Sequence, residues 1–270
     1  MTGTGAVGVH RDGGVVTVLI GHGHRANALG HHDWRVLAAL FDDLATDPTL
    51  EAVIVSGRGR KTFSAGSDLR EWLGAEPDAV DASFDIMEDA LTALERIPVP
   101  TVARVRGSAV GAGCQLACAC DFRVITQDAR LGMPVARWGI LTPPMFATRL
   151  ALLGGPAVAL DLLLTGRLVT DVEAVRLGLV TRAVPDAELD DATAVLVSIV
   201  TAHPRRRYAP PNRPSAVPPR PCAVTWRACR PARPPTTPTC SSASAPSSSA
   251  SWTAEPSRHV DPPAEHRSHR

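Results

Sequence analysis

The sequence predicts an α/β fold, because short apolar runs rich in β-branched residues alternate with segments of helical periodicity. Strand-like runs occupy 15–20, 52–56 and 101–105, and each leads into a glycine or small-residue turn. The clearest helical stripe lies between the last two runs and consists of Val80, Phe84, Met87, Leu91 and Leu94. This alternation is common to many α/β architectures, so it predicts the class alone. A chain of 270 residues has room for one large domain or two small ones.

The individual elements follow from the same periodicities and from their capping residues. The expected strands lie at 15–20, 52–56, 101–105, 122–126 and 130–133. The expected helices lie at 36–44, 80–94, 114–120, 158–164 and 171–177. The first helix should end near Asp47-Pro48, because proline restricts the residue before it. The last helix should begin at Thr170 as N-cap, with Glu173 completing the cap, and stop at Gly178.

Composition excludes several functional classes. The 28 basic and 27 acidic residues nearly cancel, so no global charge favours nucleic acid or a membrane surface. The first 20 residues lack a signal-peptide pattern, and no apolar run approaches the roughly 20 residues that span a bilayer, so we expect a cytoplasmic protein. Four histidines and three central cysteines match no metal-ligand spacing, so we expect no metal and reduced, buried thiols; these are His22, His24, His31, His32, Cys114, Cys118 and Cys120.

The most informative stretch, residues 107–124, reads GSAVGAGCQLACACDFRV. It follows the predicted strand 101–105, turns through three glycines and continues as a short apolar helix. A glycine turn that opens a helix leaves the first amide N–H groups unpaired at the positive end of the helix dipole. Such a turn can bind an anion or a developing oxyanion. The alternative is a strand-to-helix turn in which glycine serves only packing.

A second stretch, residues 61–72, reads KTFSAGSDLREW and also follows a predicted strand. Two such turns can aim two backbone N–H groups at one oxygen. Together the two stretches resemble the enoyl-CoA hydratase/isomerase (crotonase) family. FSAGSDL is similar to that family's F-x-A-G-x-D-[LI] loop, and the glycine block is similar to its G-x-x-x-G-G-G-x-[ED]-L-x-x-x-C-D segment. The resemblance covers about residues 7–200.

The resemblance implies a fold and a substrate. The implied fold is a spiral of repeated β-β-α units, which forms a domain at 1–203. The implied substrate is an acyl-CoA thioester of fatty acid metabolism, with coenzyme A as part of the substrate and no separate cofactor. Its carbonyl oxygen would be held as an enolate by the backbone N–H groups of Ser67 and Ala112. The implied substrate-binding residues are Arg25, Ala26, Ala28, Ala65, Gly66, Asp68, Leu69 and Gly111. Within the family's [RK]-x-N-A-L segment, Arg25 is a candidate phosphate contact, with a surface charge as the alternative.

The sequence departs from the family at both hydratase acids. The family's two glutamates correspond here to Gln115 and Val135. A glutamine amide can position water or substrate but cannot exchange a proton at neutral pH, and valine can do neither. Hydration by the usual two-acid route is therefore not expected. The leading hypothesis is a family enzyme acting through enolate stabilisation; the alternative is a catalytically silent acyl-CoA-binding or scaffold protein.

Other acids could replace the lost pair. Glu71, Asp85 and Glu88 are candidates, although each also fits a solvated helix charge. Asp121 matches the family's C-D pair, where a structural role is expected. Arg137 and Trp138 follow Val135 and either line the pocket or pack against it.

The last segment, residues 204–270, differs in kind. It is rich in proline, arginine and serine and shows no periodicity, so we expect it to be disordered. Two interpretations stay open, a natural basic tail or the product of a shifted reading frame in a GC-rich gene. The abrupt end of the resemblance near His203 favours the second. The family suggests a homotrimer or hexamer, which we do not expect here because the family's C-terminal helices are not recognisable.

Overall fold

The computed structural model describes residues 5–140 and 142–202. The expected tail at 204–270 lies outside these residues. The strands are β1 Val7–Asp12, β2 Val15–Ile20, β3 Ala52–Gly57, β4 Thr62–Ser64, β5 Thr101–Val105, β6 Ser108–Val110, β7 Phe122–Thr126, β8 Arg130–Gly132, β9 Leu168–Thr170 and β10 Arg182–Val184. The helices are α1 His31–Thr46, α2 Pro77–Glu95, α3 Ala112–Ala119, α4 Pro144–Gly154, α5 Pro156–Thr165, α6 Asp171–Arg176 and α7 Leu189–Thr201.

The strands form two sheets that the chain visits alternately. The larger sheet has the order β1-β2-β3-β5-β7-β10, and the smaller one has the order β4-β6-β8-β9. Both sheets are parallel except at β1 and β9, which run antiparallel to β2 and β8. Three successive units, β3-β4-α2, β5-β6-α3 and β7-β8-α4, each place one strand in each sheet before a helix. The predicted spiral of β-β-α units is confirmed.

The larger sheet is covered on both faces, as parallel sheets usually are. Along β3, Val53 and Val55 belong to the main core, whereas Ile54 packs with Leu196 and Val197 of α7. This alternation follows from the two-residue period of a strand. The main core also takes in α1, α2 and α3, and it is the side of the sheet on which the candidate site lies. Among the described residues, no helix combines the length and apolar character that crossing a bilayer requires.

Most predicted elements are present, with a few differences. The predicted N-cap is confirmed, since the Thr170 hydroxyl accepts a hydrogen bond of 3.2 Å from the Glu173 N–H. Helix α3 begins two residues before the prediction, at Ala112. Strand β1 was not among the expected strands; it extends to Asp12, and the turn to β2 lies at Gly13-Gly14. The outer half of β1 is exposed, so no apolar alternation marks it in the sequence.

Candidate active site

Two neighbouring strands deliver the two predicted loops to one place. In the smaller sheet, β4 pairs in parallel with β6, with Ser64 beside Ala109. The carboxyl ends of parallel strands meet at the same edge of a sheet, which is where α/β proteins bind ligands. The loop at 65–68 leaves β4 at this edge, and Gly111 with α3 leaves β6 beside it. The topology therefore brings Ser67 and Ala112 to the same edge.

Glycines allow the two loops to touch. Gly66 has φ +92°, and a Cβ atom placed there would lie 2.6 Å from the Ala112 nitrogen and 2.9 Å from the Val110 oxygen. At Gly113 an added Cβ would lie 2.4 Å from the Ser64 oxygen. Backbone atoms cannot give way as a flexible side chain can, so these positions require glycine. The glycines therefore do serve close packing of the two loops, and the same packing brings the backbone amides of Ser67 and Ala112 to one edge of the sheet.

The backbone N–H groups of Ser67 and Ala112 donate no hydrogen bond to any residue that the structure describes. The N–H groups of the adjacent residues do form hydrogen bonds: Asp68 N–H donates to the Leu29 oxygen and Gly111 N–H donates to the Gly132 oxygen, both at 2.9 Å. Ala112 is the first residue of α3, so its amide lies at the positive end of the helix dipole. Two amide donors at this edge are therefore available to a ligand oxygen.

A left-handed turn at Arg25–Asn27 supports the loop that follows β4. All three residues have φ between +51° and +54°, although none is glycine. Such a conformation costs an L-residue roughly 1–2 kcal/mol. The Asn27 side chain offsets this cost, because it accepts from Gly23 N–H at 2.9 Å and donates to the Arg58 and Thr62 oxygens at 2.9 and 2.7 Å. The sequence prediction did not assign Asn27 a role, although the [RK]-x-N-A-L motif contains it.

The turn is tied directly to the candidate donor loop. The Ala65 N–H donates to the Ala26 oxygen at 2.8 Å, and the Ser64 hydroxyl donates to the Asn27 oxygen at 2.9 Å. The same Ser64 hydroxyl accepts the Gly66 N–H at 3.0 Å. These bonds fix the backbone immediately before Ser67. Ala26 thus acts through its carbonyl, away from the wall of the cavity described next.

The two candidate donors lie on the wall of a cavity of about 370 Å³ that is mainly apolar. Its aromatic wall is continuous, since the Phe84 ring centroid lies 5.6 Å from Trp72 and 5.7 Å from Phe146. Trp138 also borders the cavity and is 67% exposed at its mouth. The full lining is Arg25, Ala28, Ala65, Ser67, Asp68, Leu69, Arg70, Trp72, Phe84, Met87, Val110, Gly111, Ala112, Met133, Pro134, Val135, Trp138, Ile140 and Phe146.

Most predicted site residues meet at this cavity, and three do not. Gly66 lies behind the wall against Ala112, and Ala26 holds Ala65. Gln115 is wholly buried and is absent from the lining. Its Nε2 donates to the Phe146 oxygen at 3.1 Å, and its Oε1 has no hydrogen-bond partner among the residues that the structure describes. The sequence interpretation allowed Gln115 to position water or substrate; in this structure its amide instead ties α3 to α4.

The alternative acids do not line the cavity either. Glu88 binds Arg149, which is 4% exposed and also binds Glu95. Burial opposes the charge of Arg149, but the hydrogen bonds to the two glutamates outweigh it and raise the pKa of Arg149. Asp85 is exposed on α2. Glu71 accepts the His31 N–H at 2.8 Å outside the cavity. None of the three is placed to exchange a proton with a ligand there.

Asp68 is the one carboxylate among the described lining residues, and it has a cation partner. The Arg70 Nε donates to it at 2.8 Å, and this hydrogen bond is the main reason that the pKa of Asp68 is lowered. Asp68 also caps the 3-10 helix Leu69–Trp72 by accepting the Arg70 N–H at 3.2 Å. The carboxylate is therefore held ionised and occupied, which suits a structural role better than proton transfer.

A polar recess of about 380 Å³ adjoins the mouth of the apolar cavity. The two share Arg25, Ala28, Asp68 and Arg70, so Arg25 lies between a polar and an apolar compartment. The recess is bordered by His22, Arg25, Ala28, Gly30, Asp33, Asp68, Arg70 and Glu71. Within the described part of the chain, no group of three or more histidine, cysteine or acidic side chains is placed to hold a metal ion.

The other residues considered in the sequence analysis lie away from the cavity wall. Asp121 accepts hydrogen bonds of 2.9 Å from both the N–H and the hydroxyl of Thr101, which fixes the start of β5. Cys114, Cys118 and Cys120 are buried, as predicted. Arg137 is exposed and outside the cavity lining.

A spiral of β-β-α units that carries two amides without partners among the described residues, on the wall of an apolar cavity, is the arrangement expected of a crotonase fold. Residues 10–209 match the family model described as enoyl-CoA hydratase/isomerase. The chain is 35% identical over 202 residues to the Mycobacterium bovis protein named probable enoyl-CoA hydratase echA8, which covers 73% of this chain and 77% of that protein. It is 34% identical over 196 residues to carnitinyl-CoA dehydratase of Escherichia coli K12, covering 72% of this chain and 74% of the relative.

Solved structures of named enoyl-CoA hydratases have the same fold as this chain. An enoyl-CoA hydratase from Mycobacterium smegmatis superimposes with a TM-score of 0.71 at 34% identity, over 74% of this chain and 78% of that one. An enoyl-CoA hydratase/carnithine racemase from Magnetospirillum magneticum gives a TM-score of 0.71 at 31% identity, over 74% and 76% of the two chains. The chain belongs to the enoyl-CoA hydratase/isomerase family.

Proposed function

We propose that this protein binds an acyl-CoA thioester and holds its carbonyl oxygen between the N–H groups of Ser67 and Ala112. The observation that carries the proposal is the pair of amides with no partner in the described chain, on the wall of one apolar cavity. Hydrogen bonds from such donors strengthen as negative charge develops on the oxygen. The arrangement therefore favours chemistry that passes through an enolate at the thioester.

The cavity suits the acyl end of the ligand and the polar recess suits its charged end. Apolar and aromatic side chains make up most of the cavity wall. Arg25 lies where the two compartments join, so it is our candidate for a phosphate contact of coenzyme A. Replacing Arg25 with Gln should weaken binding of coenzyme A without moving the bound acyl carbonyl. We propose no cofactor beyond coenzyme A itself.

The missing acids argue against ordinary hydration. Val135 borders the cavity and cannot exchange a proton, and Gln115 is buried behind it. Loss of one general acid or base costs about 10²–10⁴-fold, and both positions are changed here. Hydration of crotonyl-CoA by the purified protein should therefore be slow. Rapid hydration would overturn this part of the proposal.

A second candidate function is a silent acyl-CoA-binding protein. Asp68 is the only carboxylate among the described lining residues, and it is paired with Arg70. The cavity wall therefore offers no free acid or base from the described residues, which favours a silent protein. The two candidates differ in proton exchange at the acyl Cα. An enzyme that forms the enolate should exchange the Cα protons of butyryl-CoA for deuterium in D₂O, as followed by NMR. Binding by calorimetry without such exchange, and without turnover of other enoyl thioesters, favours the silent protein.

A further inference from the structure

Three side chains outside the apolar cavity connect the candidate donor loop to two helices. The Glu71 carboxylate belongs to the 3-10 helix that follows Ser67, His31 opens α1, and Ser83 lies on α2. The His31 Nδ1 lies 3.3 Å from Glu71 Oε2, and its Nε2 lies 2.6 Å from the Ser83 hydroxyl. The three elements therefore meet at one imidazole ring.

Glu71 is held against the first turn of α1. Its Oε2 accepts the backbone N–H of His31 at 2.8 Å. A Cβ atom at Gly30 would lie 2.6 Å from Glu71 Oε1, so the carboxylate rests directly on the backbone before the helix. A negative charge at the N-terminus of a 16-residue helix is stabilised by the helix dipole. The attachment to α1 thus involves both a hydrogen bond and the charge.

The Ser83 hydroxyl orients the ring. Ser83 is 2% exposed, and its hydroxyl donates to the Ala79 oxygen at 2.8 Å. The same hydroxyl lies 2.6 Å from His31 Nε2, and the ring tautomer determines which of the two groups donates. On the other side of the ring, Nδ1 faces the Glu71 carboxylate at 3.3 Å. The ring is fixed between a buried hydroxyl and a carboxylate.

Ser67 is held by two of these elements, the 3-10 helix Leu69–Trp72 and helix α2. Glu71 follows Ser67 by four residues, with the Asp68 cap between them. On the other side, the Ser67 hydroxyl donates to the Met87 sulfur at 2.8 Å, one helical turn beyond Ser83 on α2. A shift of the 3-10 helix away from α1, or of α1 from α2, would therefore turn the Ser67 peptide.

We propose that Glu71 and His31 are positioning residues that fix the direction of the Ser67 N–H. The proposal rests on the proposed function, since it assigns them to one donor of the thioester oxygen. Neither side chain borders the apolar cavity, so neither has a role in proton transfer there. Their contribution is orientation, because donors act on a developing oxyanion only when held in place beforehand.

The experiment is difference infrared spectroscopy of butyryl-CoA labelled with ¹³C at the thioester carbonyl, bound to each purified variant. In the unaltered protein the carbonyl band should move to lower wavenumber on binding. Glu71→Ala and His31→Ala should each lose about half of that displacement, as expected when one of two donors is misdirected. Glu71→Gln keeps an oxygen acceptor for the His31 N–H and should restore most of it. Glu76→Ala removes an exposed glutamate whose side chain makes no cap bond, and it should have no effect.

The outcomes separate this inference from the function it rests on. A displaced band in the unaltered protein that is unchanged in both Glu71→Ala and His31→Ala overturns the positioning role alone. A variant that is merely destabilised, with a lower melting temperature but an unchanged band, counts against it equally. No displacement in the unaltered protein overturns the proposed donor pair, and the positioning role with it. If Glu71→Ala does not fold, His31→Ala carries the test, since it leaves the bond from Glu71 to the His31 backbone in place.

Discussion

Replacing Gly66 with Ala should force the two candidate donor loops apart. The new methyl group would lie 2.6 Å from the Ala112 nitrogen and 2.9 Å from the Val110 oxygen, distances at which backbone atoms must move. The position also has φ +92°, a conformation that costs an L-residue roughly 1–2 kcal/mol. Overpacking adds typically about 1–3 kcal/mol. The free energy of unfolding should therefore fall by the sum of a conformational and a steric contribution.

Two further glycines separate these contributions. Gly59 has φ +84° with nothing within 4 Å of an added Cβ, so Gly59→Ala reports the conformational cost alone. Gly113→Ala places its methyl group 2.4 Å from the Ser64 oxygen inside a helix, where alanine is otherwise favoured over glycine by about 1 kcal/mol. It therefore reports the steric effect at ordinary φ. Urea unfolding of all three variants measures the two costs.

Loss of function should occur only in the variants whose new methyl group clashes with the facing loop. Misplacing one oxyanion donor costs about 10²–10³-fold in rate. Gly66→Ala and Gly113→Ala should both lose Cα deuterium exchange by this factor, if the unaltered protein exchanges, and both should lose displacement of the bound carbonyl band. Gly59→Ala should keep them. A Gly66→Ala protein as stable as Gly59→Ala, with an unchanged carbonyl band, would refute the argument that these loops must touch at Gly66.

Three other changes test separate parts of the structure. Ala112→Pro removes a donor at a helix position that tolerates proline, so thioester chemistry should fall about 10²–10³-fold while Ala112→Gly has little effect, as measured by Cα exchange. Gln115→Glu would place a buried carboxyl against the Phe146 oxygen; burial raises its pKa in the folded state, so urea unfolding should show a stability deficit that grows as pH rises above about 4. The pKa of Asp47 is lowered from 3.8 to about 2, chiefly by the hydrogen bond from the Thr49 hydroxyl. The stability that ionised Asp47 contributes to the folded state is therefore present above pH 3.8 and lost as the pH falls toward 2. In Asp47→Asn the melting temperature should vary less with pH in that interval.

The sequence carried most of the fold and the backbone part of the candidate site. Strands such as 101–105 and caps such as Thr170 depend on local patterns, and the structure contains both. The placement of Ser67 beside Ala112 depends on two motifs that follow neighbouring parallel strands, which local sequence also encodes. What these positions share is that a few adjacent residues determine them.

The side-chain partners could not be predicted in the same way. Gln115 binds the Phe146 carbonyl 31 residues later, and Arg149 reaches Glu88 from a helix 61 residues away in sequence. Glu71 looked like a solvated helix charge, yet it binds His31 40 residues earlier. Such pairs depend on how helices pack across the spiral, and no spacing within one segment reveals them. Whether a carboxylate replaces the lost acids therefore depends on packing between distant segments, and none of the three candidates borders the cavity.

The central claim is that the N–H groups of Ser67 and Ala112 bind one thioester oxygen. The most direct measurement is the infrared carbonyl band of ¹³C-labelled butyryl-CoA bound to the unaltered protein and to Ala112→Pro. The band should shift to lower wavenumber on binding, and Ala112→Pro should reduce that shift while calorimetry still detects binding of coenzyme A. A bound thioester whose carbonyl band matches that in free solution, or a full shift in Ala112→Pro, would contradict the account.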